Sequence, residues 1–192
     1  MKVVVLHGSS RKGGNSDALV ERFLAGVGGE TRRAVRHFYP IDLGIAHCRG
    51  CGACGTAASS GTCVTRDDMQ EVYAAFSQSD VVVLAAPMFL GYMTSQLKTL
   101  FDRLEAIASP RHFGNKDFVL FVTYCHDSGA MVDGLDRITR AFGSRMHALA
   151  CRTYNEGAER DIPSQIFRTS WRLPSVSAAR SRRHVAQWAS EA

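Results

Sequence analysis

Absent from this 192-residue sequence is any apolar run approaching the roughly 18 residues of a membrane-spanning helix, so no membrane partner is expected. Met1-Lys2 leads straight into an apolar stretch without the layout of a signal peptide, and the expected location is cytoplasmic. Internal repeats and low-complexity tracts are also missing, which leaves one ordinary globular unit. Charge of one sign is missing locally: Ile162 to Ser190 holds Arg168, Arg172, Arg180, Arg182 and Arg183 but no acid. The overall charge is a modest +5, and no nucleic-acid-binding motif accompanies the basic stretch. A solvated or subunit-facing surface explains it better than a nucleic-acid partner.

What is present is ordinary in amount, with 45% apolar and 21% charged residues, and regular in pattern. Val3–Leu6 is a short continuous apolar run, as in a strand buried on both faces, and Val81–Ala86, Phe118–Tyr124 and Met146–Cys151 read as further strands. Thr31–Tyr39 is richer in Arg and predicts an edge strand. Between them lie helical stripes. Leu19, Phe23, Leu24 and Val27 form the first, stopped by Gly28-Gly29. Met69, Val72, Tyr73 and Phe76 follow a capping box, Thr65-x-x-Asp68. Leu97, Leu100, Phe101, Leu104 and Ala108 follow a cap at Ser95, and Met131, Leu135, Ile138 and Phe142 end at Gly143. The alternation predicts an α/β fold, a doubly wound five-stranded parallel sheet with helices on both faces. The expected domain is a single one over 1–192, with an irregular extension and a helix over about 155–192. Ligands of such sheets bind at the carboxyl ends of the strands. Three loops lie there: Gly8–Ser16, Pro87–Ser95 and Cys125–Ala130.

The first loop, Gly8-Ser-Ser-Arg-Lys-Gly-Gly-Asn-Ser16, joins a strand to a helix N-terminus, where free N–H groups and the helix dipole favour a phosphate. Gly8-x4-Gly13 is followed by Gly14-Asn15 rather than Lys-Ser/Thr, which argues against a nucleotide triphosphatase. The dinucleotide pattern Gly-x-Gly-x-x-Gly is absent as well. What remains is Ser9, Ser10, Asn15 and Ser16 with one guanidinium, Arg11, a set suited to a terminal phosphate monoester. The alternative is a polar turn with a helix cap. The second loop, Pro87-Met-Phe-Leu-Gly-Tyr-Met-Thr-Ser95, is apolar. A phosphate cradle beside an apolar, aromatic wall suits FMN; the alternative is that these residues join the core or an oligomer interface.

Gly8–Ser16, Pro87-Met-Phe-x-Gly-x-Met-x-Ser-Gln-Leu-Lys98 and Phe101-Asp-Arg103 together resemble the flavodoxin-like NAD(P)H-dependent FMN reductases. The cysteine run followed by Asp67-Asp-Met69 is similar to the branch that includes the iron–sulfur flavoproteins. The resemblance covers about residues 1–130. It implies that Ser9, Arg11, Gly14, Asn15 and Ser16 hold the FMN phosphate. It implies that Pro87, Met88, Phe89, Leu90 and Gly91 line the flavin ring, and that Tyr124 to Gly129 cover its other edge. It also implies NAD(P)H as co-substrate, a small-molecule electron acceptor such as a flavin, quinone, nitro or azo compound, and a homo-oligomer. No catalytic side chain is required for hydride transfer; His126 in the third loop is a candidate proton donor. The competing functions are an electron carrier without direct NAD(P)H turnover and a cysteine-based metal or redox sensor.

Cys48-x2-Cys51-x2-Cys54, with Cys63 after a gap of eight residues, has thiolates at metal-ligand spacing. A [4Fe-4S] cluster, a structural zinc ion, and free thiols beside the flavin all remain open. Arg49 is the only cation between Cys48 and Cys63, so metal-free thiols should be protonated and pack as small apolar groups. Cys125 and Cys151 read as buried strand-end residues.

Overall fold

Five parallel strands in the order β2-β1-β3-β5-β6 form the centre of this computed structural model, which describes residues 1–27, 34–56, 62–125 and 127–153. The elements are β1 (Val3–His7), α1 (Asn15–Ala25), β2 (Val35–Phe38), α2 (Met69–Gln78), β3 (Val81–Phe89), β4 (Tyr92–Met93), α3 (Ser95–Leu104), α4 (Pro110–Phe113), β5 (Asp117–Tyr124), α5 (Gly129–Ala141) and β6 (Arg145–Arg152). Single 3-10 turns occupy Pro40–Asp42, Ala53–Gly55 and Glu105–Ile107.

The strands are where apolar runs place them: β1, β3 and β5 are covered on both faces and have no polar side to show, whereas β6 at the far edge buries only Cys151. Along β1, Val4 and Leu6 face a core built with Met69, Val72, Phe76, Leu97, Leu100 and Met131 of α2, α3 and α5. Val3 and Val5 face the opposite way, onto Leu19, Val20 and Leu24 of α1. The arginine-bearing β2 is the edge strand, as expected, and pairs in parallel with β1 from Val3↔Val35 to Leu6↔Phe38. The sheet order reverses between β1 and β3, so the loops after these two strands open side by side.

Several local expectations are corrected. Pro87 does not end β3, which runs on to Phe89. β1 pairs only as far as Ala85, so the N–H that Pro87 lacks falls on a side with no partner strand. β3 then turns back through Leu90-Gly91 into β4, an antiparallel pair that apolar periodicity did not show. The cap of α3 is Thr94, not Ser95: its Oγ1 accepts the Leu97 amide at 3.3 Å. The capping box at Thr65 does not form. The Met69 amide donates to Asp67 Oδ1 at 3.1 Å, and Asp68 is spent on the Gly44 amide. Helix α1 ends at Ala25 on Gly26, before the expected stop; Gly28 and Gly29 lie outside the described residues. Gly143 closes α5 as expected. It sits at φ +80°, with its amide on Arg140 and that of Ser144 on Thr139, the paired bonds of a left-handed helix ending. The extension and helix expected over 155–192 lie outside the described residues. Among the described residues no helix is long and apolar enough to cross a membrane.

Candidate functional site

The loop after β1 is anchored at its base and open at its tip. Gly8 is buried, its amide donates to Ala85 O at 2.7 Å, and its carbonyl accepts the Thr94 hydroxyl at 2.7 Å. A Cβ at Gly8 would stand 2.9 Å from both Ala85 O and Leu97 Cδ2, so only glycine fits. Thr94 thus caps α3 and holds the loop with one hydroxyl. Further on, Ser9 Oγ accepts the Arg11 amide and donates to the Arg11 carbonyl, a local turn that shapes the tip. Arg11 is exposed. Helix α1 begins at Gly14, which has no side chain to cap it, and its first backbone ring closes from Ala18 N to Gly14 O. The amides of Asn15 and Ser16 therefore have no carbonyl partner inside the helix. An uncapped helix start beside an exposed guanidinium fits a phosphate.

Ser16 is placed differently from expectation. It is buried, and its hydroxyl pairs with Thr123 Oγ1 of β5 at 3.1 Å, so its backbone amide is the part offered to a ligand.

Beneath the loop is a polar cluster that apolar periodicity passes over. His7, the last residue of β1, is 2% exposed. Its Nδ1 lies 2.8 Å from Asp17 Oδ1 and its Nε2 lies 3.0 Å from His37 Nδ1. Asp17 Oδ2 accepts the Gly13 amide at 2.8 Å. The Tyr39 ring stacks on His7 with centroids 3.9 Å apart. Burial holds the His7 imidazole below its ordinary value, against the pull of Asp17. A signal existed: Asp17, Val20 and Leu24 fall on one helical stripe, and a carboxylate on a buried stripe needs a partner.

The apolar wall is the β3–β4 hairpin. Pro87 and Met88 are half-buried, Phe89 is 64% exposed, and Leu90 is fully exposed at φ 49° beside Gly91 at φ +78°. In the third loop Tyr124 is half-buried, and Gly129 opens α5 with its amide already on Asp127 Oδ1. His126 lies outside the described residues. Cys125 is exposed, not buried; it follows the last residue of β5 and so leaves the core. Cys151 is buried as expected, and burial pushes its thiol up to about 11.

The cysteine segment is tied at both ends to one buried ion pair. Arg103, 2% exposed, donates to both Asp67 oxygens, at 2.7 and 3.1 Å. The same guanidinium reaches Ala46 O and Thr65 O, while Asp67 Oδ2 accepts the Ala46 amide. Cys54 and Cys63 are half-buried against the core, and Cys48 and Cys51 are exposed. Burial would raise the Cys63 thiol, but the Thr65 backbone and the Arg103 guanidinium outweigh it and hold it below its ordinary value. The expectation of protonated thiols counted Arg49 as the only cation inside the segment; at Cys63 a second cation, Arg103, arrives from a distant helix. The chemistry of four thiols suits a cluster or zinc. As placed, however, the described residues contain no group of three or more His, Cys, Asp or Glu able to hold a metal ion.

A doubly wound α/β sheet, with the loop after β1 and the apolar hairpin after β3 meeting at its switch point, defines a flavodoxin-like protein. An azoreductase from Bacillus anthracis str. Sterne has this fold, with a TM-score of 0.61 and 18% identity over 79% of this chain and 86% of that one. The sequence model of the NADPH-dependent FMN reductases matches residues 1–154, and the chain belongs to that family. Iron–sulfur flavoproteins are similar to it. That of Archaeoglobus fulgidus is 36% identical over 104 residues, 54% of this chain and 46% of that protein. That of Methanosarcina thermophila is 35% identical over 103 residues, 54% and 52% of the two. The chain spans about half the length of the curated relatives it matches.

Proposed function

We propose that this protein is an FMN-dependent oxidoreductase that takes hydride from NAD(P)H and reduces a small acceptor of the flavin, quinone, nitro or azo class. The observation that supports the reading is one hydroxyl: Thr94, the residue after the apolar hairpin, ties the loop after β1 to the start of α3, so the candidate phosphate loop and the candidate ring wall are held side by side. Bound FMN supplies two-electron chemistry, and the chain supplies position. Arg11 and the amides of Asn15 and Ser16 hold the phosphate. Pro87, Met88, Phe89, Leu90 and Gly91 back the ring and exclude water from it. Tyr124 closes the other side. The names of the relatives favour a second reading, an electron carrier in which Cys48, Cys51, Cys54 and Cys63 hold a cluster. Iron and sulfide analysis after anaerobic purification separates the two: about four of each per chain supports the carrier, traces support the reductase.

The deciding experiment titrates apoprotein with FMN and then follows NADPH and NADH oxidation. Arg11→Ala should weaken FMN binding about ten- to a hundred-fold by losing a charge-assisted contact. Equal affinity in both proteins overturns the phosphate assignment.

A further inference from the structure

The phosphate loop carries a negative charge of its own. Asp17 Oδ2 sits on the Gly13 amide, inside the loop that would receive a phosphate ester, and its side chain is 7% exposed. In the free protein this carboxylate answers the positive end of α1. When a phosphate dianion arrives, both anions face the same helix end and repel each other. A counter-charge is needed that can appear on demand.

The tautomers around Asp17 show where it can come from. A carboxylate only accepts, so His7 Nδ1 carries a proton and donates to Oδ1 across 2.8 Å. Neutral His7 then presents a lone pair at Nε2, and His37 Nδ1 must donate to it across 3.0 Å. That leaves His37 Nε2 as the acceptor end of the chain, on an exposed residue. We propose that His7 is a specificity-determining residue of the phosphate site, taking up one proton through His37 when a phosphate ester binds. The proposal rests on the reading of Gly8–Ser16 as a phosphate cradle. A solvent proton adds at His37 Nε2, and the His37 Nδ1 proton passes to His7 Nε2. The products are an imidazolium at His7 against the Asp17 carboxylate and a neutral His37 in its other tautomer. One proton enters and none is lost.

The remaining charged groups do not cancel this. Asp17 and Glu21 of α1 both favour the cation at His7, while His37 opposes it. Tyr39 stacks on His7, with Lys12 Nζ 5.0 Å from the Tyr39 ring, and Lys12 itself pairs with Asp42. Burial keeps His7 neutral in the free protein, which is the starting state the coupling needs. A neutral ligand lacking the phosphate gives His7 no reason to charge.

Calorimetric titration in two buffers of different ionisation enthalpy reads the proton directly. At pH 7, FMN should draw a substantial fraction of a proton into wild-type protein, and riboflavin none. His7→Asn keeps a donor toward Asp17 and should abolish the uptake. The ratio of its FMN dissociation constant to that of wild type should rise as pH falls from about 8.5 to 6, by up to about tenfold for each unit by which FMN raises the His7 value. If FMN binds no more tightly than riboflavin, the cradle reading fails. If FMN binds more tightly, yet wild type takes up no proton and the two pH profiles coincide, the cradle stands and this proposal is overturned. Imidazole NMR of wild type tests the coupling without a variant: FMN must raise the His7 titration midpoint, and an unmoved midpoint refutes it.

Discussion

Arg103 shows what a single buried charge demands of its surroundings. Its guanidinium is answered by one carboxylate and two carbonyls, and its Nε has no hydrogen-bond partner among the described residues. Replacing Asp67 by Asn removes the one carboxylate paired with Arg103 among the described residues and leaves a cation stranded in the core. The expected loss is about 3–5 kcal/mol of stability, measured by denaturant unfolding at pH 7. The pH dependence has a definite sign. Burial would raise the Asp67 carboxyl, but Arg103 and the Ala46 and Met69 amides hold it below 3.8. A carboxyl lowered by folding contributes stability above its unfolded value, which is lost as pH falls through the folded one. The gap between wild type and Asp67→Asn should therefore be full at neutral pH and shrink below pH 3.8. A gap independent of pH down to the acid transition would contradict the pairing. Both residues lie in motifs legible in the sequence, Asp67-Asp-Met69 and Phe101-Asp-Arg103, yet their contact was not legible. They are far apart in the chain, and no periodicity links a loop acid to a helix-end arginine.

Elements were legible in proportion to how far one strong pattern decided them. Apolar runs marked the three inner strands, because burial on both faces leaves little competing signal; an apolar run also marked the mostly exposed far-edge strand β6, and an arginine-rich stretch marked the edge strand β2. Helix starts were less legible, since Thr94 and Ser95, or Asp67 and Asp68, carry the same chemistry one residue apart. The backbone direction of the preceding loop chooses between them. The β3–β4 hairpin escaped because β4 is only Tyr92–Met93, too short for alternation, and Pro87 reads as a terminator. Thr94 is the element-scale test. Thr94→Val keeps the shape but strands the Gly8 carbonyl and the Leu97 amide. We expect a loss of about 1–3 kcal/mol in thermal or denaturant unfolding. On the proposed function FMN affinity should fall with it, because the Gly8–Ser16 loop loses its tie to α3. Thr94→Ser, which keeps the hydroxyl, should restore both. Rescue of stability without rescue of FMN binding would show that the hydroxyl caps α3 but does not position the loop.

At the scale of the whole molecule, the apolar hairpin is the feature one copy leaves unfinished. Phe89 is 64% exposed, Leu90 fully exposed and Tyr92 41% exposed, all on one turn at the mouth of the candidate flavin site. On the proposed function a flavin would lie against the wall of that mouth, but a turn whose tip stands wholly in solvent exceeds what a flat ring covers. Leu90 also holds a positive φ of 49°, a conformation that costs a leucine energy unless its surroundings fix it. A second copy of the chain would bury the tip and complete the site from above, and contiguous exposed apolar patches mark such contacts. We therefore expect light scattering at micromolar concentration to give a dimer or larger assembly. Leu90→Asp places a charge in the contact and should shift the mass toward one chain, with the far-ultraviolet circular dichroism unchanged because Leu90 belongs to neither core cluster. If the hairpin shapes the ring site across the contact, the monomeric variant should also bind FMN more weakly, while its discrimination of FMN over riboflavin, set by the phosphate loop, persists. A wild-type protein that scatters as a single chain would assign the hairpin to the flavin and its acceptor alone.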